Sequence, residues 1–303
     1  MNSETPARPE LGDLVVGVDG SPSARRAVLW AAAEADRRGR SLHLVHAADT
    51  DRRALHTSAE TLREAREAGR ELLAGSALAV HDRFPDLAVT RELSRQEPVA
   101  ALRTAAGRRG TVVVGNRGLG GFSALMLGSV GLGVAARADV PVVVVRGEAE
   151  HPETGSVTAA VHDAADLDWL PLAAAEAAAR KAALRIVSVW NVLAHVGSVA
   201  TMLDDLDGIA RQRVLEVKAL ADRVREVHPD LVVGHHVETG TSTPGILVAA
   251  SARTDLLVMG RGRRPPALGP ALGRVAHTLI HHAHCPVEIV PPAFTGLANR
   301  TGP

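Results

Sequence analysis

Gly115-Asn116-Arg117-Gly118, nine intervening residues, and then Gly128-Ser129-Val130 form the segment whose residue types and spacing best suit chemistry. That chemistry is the holding of an anion. Gly115 closes an apolar run, Val112 to Val114, that reads as a strand, and the stretch from Gly128 to Arg137 reads as a helix. A glycine at the strand end lets a ligand lie against the backbone where a side chain would obstruct it, and Gly118 permits a turn that other residues would strain. Gly128 and Ser129 open the helix, where unpaired N–H groups and the positive end of the dipole attract phosphate. The Ser129 hydroxyl can donate to a phosphate oxygen or cap the helix, and Arg117 either adds charge to the site or faces solvent. A pair of glycines alone is weak evidence, but strand, loop and helix agree here. Gly120, Gly121, Phe122 and Met126 in the intervening loop read as packing over it rather than as ligand contacts.

Such a loop has to be held by a sheet, and the chain spells that sheet out twice. Phe84-Pro85-Asp86-Leu87 recurs as His228-Pro229-Asp230-Leu231, Val112 to Gly115 as Leu257 to Gly260, and Pro141 to Val145 as Pro286 to Val290. The offsets are 144, 145 and 145, and a fourth pair, Leu42 to Val45 with Leu184 to Val187, is offset by 142. Small insertions explain the drift. In the first copy, strands are expected at Leu14 to Asp19, Leu42 to His46, Leu87 to Leu93, Thr111 to Gly115 and Val142 to Arg146. They alternate with helices at Ser23 to Arg38, Ser58 to Arg83, Val99 to Arg108 and Gly128 to Arg137. Alternation of this kind gives right-handed crossovers and a parallel sheet covered on both faces, and the valine runs suit strands buried on both sides. The fold class is α/β, two tandem open-twisted five-stranded parallel sheets with helices on both faces. The boundaries follow: an N-terminal stretch 1–10 expected to be disordered, a first domain 11–147, a linker 148–155, a second domain 156–292 and a tail 293–303. On the long helix, Glu60, Arg63, Glu67 and Arg70 are spaced to pair along one exposed face.

Composition narrows the function. The 303 residues carry 34 basic and 34 acidic side chains and a formal net charge of zero, which gives no argument for a nucleic-acid patch or a polybasic membrane surface. Aromatic residues make up 2% of the chain, with no tyrosine, so platforms for stacking single-stranded bases are not expected. No apolar run approaches the roughly 18 residues of a membrane helix, and Met1 to Glu10 lacks the apolar core of a signal peptide. With Cys285 the only cysteine, no intrachain disulfide can form, and a cytoplasmic location is the expectation.

The spacing Gly-x-x-Gly-x9-Gly-Ser, the opening Val15-Val16-Gly17-Val18-Asp19-Gly20-Ser21 and the segment Asp139-Val140-Pro141-Val142-Val143-Val144-Val145 together resemble the universal stress protein family. The resemblance runs over nearly the whole chain as two tandem domains, and is nearest to the tandem proteins of high-GC Gram-positive bacteria. It implies a Rossmann-like, adenine nucleotide alpha hydrolase-like fold that binds ATP, with or without Mg²⁺, and a regulatory role in stress or dormancy without fast catalysis. It also implies dimerisation, with Val142 to Val145 and Val287 to Val290 as candidate pairing strands within or between chains. Asp19 matches the position whose carboxylate meets the nucleoside, although an aspartate there can equally cap the turn into the first helix. Val45 matches a position that meets adenine through its backbone and is also expected in the core. Gly115, Gly118, Gly128, Ser129 and Val130 match the ribose and phosphate loop, with Arg117 inside it.

In the second copy the same offset replaces Gly118 by Arg263 and Ser129 by Arg274, keeps Gly260 and Gly273, and puts His162 or Asp163 in place of Asp19. Pro265 and Pro266 remove N–H donors from the loop. The expected outcome is a decayed site in a domain kept for dimerisation or support, ahead of an altered anion site using Arg261, Arg263, Arg264 and Arg274. His277 and His281 share a helix face near His282, His284 and Cys285, but the spacing lacks the glutamate of a zinc-protease motif, and no metal is expected. No catalytic set stands out. The loop has no Walker lysine, which argues for slow ATP hydrolysis at most. A dinucleotide fingerprint would follow the first strand, whereas these glycines follow the fourth. An interaction scaffold independent of nucleotide is the alternative.

Overall fold

The computed structural model describes residues 12–54, 56–118, 128–146, 153–191, 203–262, 272–292 and 294. Those up to 146 form one compact unit and those from 153 onward a second. The first unit runs β1 (Leu14–Gly17), α1 (Pro22–Arg38), β2 (Leu42–Ala47), α2 (Thr50–Arg53), α3 (Ala59–His81), β3 (Val89–Ser94), α4 (Pro98–Ala106), β4 (Thr111–Gly115), α5 (Ser129–Arg137) and β5 (Val142–Val145). Its strands lie in the order β3-β2-β1-β4-β5, every neighbouring pair parallel. Leu14, Val16, Leu42, Leu44, Val113 and Val143 have no exposed surface, as the apolar character of both strand faces requires.

The order reverses at β1. The chain moves to one side for β2 and β3, then returns past β1 to form β4 and β5, and a crevice opens at the strand C-termini where the direction changes. Helix ends are set locally. Ser21 caps α1 by accepting the Ala24 N–H at 3.1 Å, Pro22 occupies the first turn, and Gly39 ends the helix at φ 61°. A cap of this kind contributes about 1 kcal/mol. The first strand stops at Gly17, short of the expected Asp19. Val18 N–H still bonds the Val45 carbonyl at 2.9 Å, but Gly20, at φ 84°, turns the chain away. The short helix α2 was not anticipated, because its four residues are too few to show a period. Of the charges expected to pair along α3, Glu67 and Arg70 meet at 2.8 Å with both side chains about 60% exposed, a geometry contributing little.

The second unit repeats the plan: β6 (Ser156–Val161), a 3-10 turn (Ala164–Asp168), α6 (Leu170–Ala179), β7 (Ala183–Asn191), α7 (Leu203–Val227), β8 (Val233–Gly240), α8 (Thr243–Ser251), β9 (Leu256–Gly260), α9 (Gly273–His282) and β10 (Val287–Val290). Its order is β8-β7-β6-β9-β10, again parallel throughout. The Asp255 carboxylate accepts from Thr154 N–H at 2.6 Å and Ser156 N–H at 3.1 Å and so pins the chain entering β6. Among the described residues no helix is long and apolar enough to cross a membrane.

Candidate functional site

A cleft of about 380 Å³ lies in the first unit at the C-terminal ends of β1, β2 and β4 and the start of α5, with Pro98 and Leu102 of α4 beneath it. Asp19, Val45, Gly115, Arg117, Gly118, Gly128, Ser129 and Val130 all line it. The segment between Gly118 and Gly128, with Gly120, Gly121, Phe122 and Met126, lies outside the described residues.

The carboxylate of Asp19 divides its work. Oδ1 accepts the Ser21 N–H at 2.9 Å and so closes the turn into α1, while the N-cap of the helix itself is the Ser21 hydroxyl. A Cβ on Gly118 would come to 2.8 Å from Oδ2. The second carboxylate oxygen therefore reaches the glycine loop at Gly118, in a position to accept from a hydroxyl placed in the cleft. The same distance corrects the reason for glycine at 118. Its φ is not in the left-handed region, and what a side chain would meet is Asp19. The reason for glycine at 115 changes as well. A Cβ there would sit 2.4 Å from Ser23 Oγ and 2.7 Å from the Ser23 carbonyl carbon and oxygen, so α1, not a ligand, excludes the side chain.

Ser23 and Asn116 were missed by the sequence reading. Ser23 Oγ donates to Asn116 Oδ1 at 2.7 Å and accepts the Arg117 N–H at 3.0 Å, and Ser21 Oγ donates to the Arg117 carbonyl at 3.2 Å. The first turn of α1 thus fixes the loop backbone. No sequence signal marks the pairing, since α1 and the loop are remote along the chain.

Helix α5 starts openly. Gly128 is its N-cap, donates its N–H to the Asn116 carbonyl at 3.3 Å and offers no capping side chain. A Cβ at Gly128 would lie 3.3 Å from Gly118 N. Among the described residues no side chain caps the first N–H groups of α5, and the positive end of the helix faces the cleft. Ser129 is inside the helix and exposed, so its hydroxyl is free of the capping alternative.

Val45 is 1% exposed and its carbonyl takes the Val18 N–H. Backbone direction alternates along a strand, so Ala47, two residues on, turns the same edge past the end of β1. Arg117 is exposed. Burial, and then the positive charge of Arg117, lower the pKa of the Arg146 guanidinium from its ordinary value.

The second unit has a cleft of about 310 Å³ in the corresponding place, lined among others by His162, Asp163, Asp166, Trp169, Gly260, Arg261, Gly273 and Arg274. Two of its carboxylates are bonded within the turn that carries them. Asp166 Oδ1 accepts the Trp169 indole N–H at 2.8 Å, Asp166 Oδ2 accepts the Asp163 N–H at 3.2 Å, and Asp163 Oδ1 accepts the Ala165 N–H at 2.8 Å. A Cβ on Gly260 would lie 2.5 Å from the indole nitrogen, so Trp169 stands where Ser23 stands in the first unit. Among the described residues this lining includes none from β7, whereas the first cleft is walled by Val45, His46 and Ala47 of β2. Arg263, Arg264, Pro265 and Pro266 lie outside the described residues.

The remaining candidates sit apart. The His277 and His281 rings stack at 4.5 Å, and among the described residues no group of three or more His, Cys, Asp or Glu is arranged to hold a metal. Cys285 is 3% exposed; burial pushes its thiol up to about 12, where it is no nucleophile.

Comparison with known proteins follows the same division. The universal stress protein family matches residues 11–146 and again 156–291. A universal stress protein of Mycobacterium tuberculosis is 28% identical over 300 residues, which is 93% of this chain and 97% of the relative. One from Mycolicibacterium smegmatis is 39% identical over 133 residues, but that match spans 44% of this chain and 45% of the relative. Among solved structures, a universal stress protein from Archaeoglobus fulgidus superposes with a TM-score of 0.67 at 16% identity, covering 92% of this chain and 98% of that one.

Proposed function

This chain belongs to the universal stress protein family through both of its halves, and from that premise we propose that its first unit binds ATP and that the protein serves a regulatory role in the stress response. The observation that carries the reading is the first cleft. It joins a carboxylate with one oxygen turned to the loop, a pair of close-packed glycines, and the uncapped start of α5. In this reading Asp19 accepts from the ribose hydroxyls, the Val45 to Ala47 edge meets the base, and Gly128, Ser129 and Val130 take phosphate on backbone N–H groups and the Ser129 hydroxyl. Mg²⁺ enters, if at all, with the nucleotide, since the protein's carboxylate here faces the ribose. Turnover is slow, because the loop has Arg117 but no Walker lysine, and no obvious carboxylate for Mg²⁺ follows it in the sequence. The second unit, with Asp163 and Asp166 bonded within their own turn, binds no ATP. The cytoplasm is the compartment that supplies this ligand, and self-association is part of the proposal.

Calorimetric titration of ATP with Mg²⁺ into the full chain tests this. One site per chain is expected, and Gly128→Glu abolishes it, because the new side chain enters beside Gly118 N and brings negative charge to an anion site. Two equal sites would show the second unit to be active. No binding, in protein freed of retained nucleotide, leaves a nucleotide-independent scaffold as the function.

A further inference from the structure

Three consecutive residues at the end of β4 close around one oxygen. A Cβ on Gly115 would lie 2.4 Å from Ser23 Oγ, the Asn116 side chain accepts from that hydroxyl at 2.7 Å, and the Arg117 N–H donates to it at 3.0 Å. The Cβ direction of Gly115 and the side chain of Asn116 thus both point to α1, so the alternation of a strand stops at Gly115 and the loop begins there. Ser23 can hold both partners because a hydroxyl donates and accepts at once. It is released for this because Ser21 caps α1 by accepting the Ala24 N–H at 3.1 Å.

Asn116 carries the tie onward. Its carbonyl accepts the Gly128 N–H at 3.3 Å, and Gly128 is the N-cap of α5. One residue therefore joins the first turn of α1, the end of β4 and the start of α5, across both ends of the glycine loop. Neither Ser23, which is 4% exposed, nor Asn116 lines the cleft, so what they do for a ligand is done through the backbone they hold. In the second unit Trp169 stands beside Gly260. An indole N–H donates and cannot accept, and this one donates to Asp166 of its own turn. It cannot hold a loop amide as Ser23 does.

We propose that Ser23 is a positioning residue for nucleotide binding. Acting through Asn116, it sets the separation between the end of β4 and the start of α5 before the ligand arrives, so that backbone N–H groups meet phosphate without first having to be ordered. The inference rests on the nucleotide reading above and deepens it.

The test is calorimetry of ATP with Mg²⁺ on the full chain, for the wild type, Ser23→Ala, Asn116→Ala and the double variant, with urea unfolding of each. A residue that only supports the fold lowers the urea midpoint and leaves the Kd of the folded protein unchanged. A positioning role instead raises the Kd of Ser23→Ala by about twofold to tenfold, the range that one hydrogen bond supplies, and that of Asn116→Ala within the same range. Both changes cut the same tie, so their effects should not add, and the double variant is expected to bind about as Ser23→Ala does. An unchanged Kd in folded Ser23→Ala, or losses that add in full, overturns the proposal while leaving nucleotide binding intact. A wild type that binds no ATP, once freed of retained nucleotide, overturns both readings. If Ser23→Ala does not fold, Asn116→Ala, at a half-buried position, decides alone: a raised Kd upholds the positioning role and an unchanged one rejects it.

Discussion

At the residue scale, two glycines of one motif are glycines for different reasons, and substitution separates them. An alanine at 115 would press its Cβ into the backbone of Ser23, which cannot move without shifting α1. We expect Gly115→Ala to cost about 1–3 kcal/mol of stability, the range for overpacking. An alanine at 118 meets the end of the Asp19 side chain, which can rotate away. Gly118→Ala should therefore unfold within about 1 kcal/mol of wild type yet bind nucleotide more weakly, because Asp19 is displaced from its place. Urea unfolding and ATP titration of the two variants check both statements. A Gly115→Ala protein as stable as wild type would mean that the contact relaxes freely. The motif spacing was legible in the sequence, because a loop that must join a strand end to a helix start fixes the number of residues between its glycines. The steric reasons were not legible. Ser23 and Asp19, which impose them, are far away along the chain, and only the sheet brings them to the loop.

At the scale of elements, the two copies show what repetition preserves. Helix α1 ends with Arg40 N–H bonded to the Ala35 carbonyl at 2.8 Å, and α6 ends with Ala182 N–H bonded to the Ala177 carbonyl at 2.9 Å. Both endings need a left-handed residue. In the first copy it is Gly39 at φ 61°, and in the second it is Lys181 at φ 54°. A residue with a Cβ pays roughly 1–2 kcal/mol there, partly offset by the greater freedom that glycine has when unfolded. Lys181→Gly is accordingly expected to raise stability by up to about 1 kcal/mol, read as a higher urea midpoint at unchanged slope. A lower midpoint would show that the lysine side chain contributes more than its backbone costs. Strands and long helices were legible because apolar periodicity and the repeat offsets mark them independently. The 3-10 turn before α6 was not, although Asp163 and Asp166 have the spacing of a capping box. The second copy is no longer here than the first, with 28 positions from Leu14 to Leu42 and 27 from Val157 to Leu184, so the turn replaces the start of the helix, and this replacement delivers Trp169 to Gly260.

At the scale of the whole molecule, the asymmetry between the units predicts where a ligand stabilises the chain. A ligand bound only by the folded state adds about 2.7 kcal/mol when present at a hundred times its Kd. The tryptophans are distributed so that this can be read unit by unit: Trp30 lies on α1 of the first unit, and Trp169 and Trp190 are buried in the second. In a chain carrying Trp169→Phe and Trp190→Phe, fluorescence follows the first unit alone, and ATP should move its urea transition upward by that amount. The shift should vanish when Gly128→Glu is added, because the cleft that takes the anion is then blocked. In the complementary Trp30→Phe chain, the signal comes from Trp169 and Trp190 of the second unit, the first of them against Gly260 in a cleft where Asp166 is bonded within its own turn. An ATP-induced shift in that signal which survives Gly128→Glu would place a second nucleotide site in the second unit. It would require Arg261 and Arg274 to replace the phosphate contacts proposed for Ser129 and the first loop. No shift in the Trp30 signal at saturating ATP would remove the nucleotide from the first unit altogether.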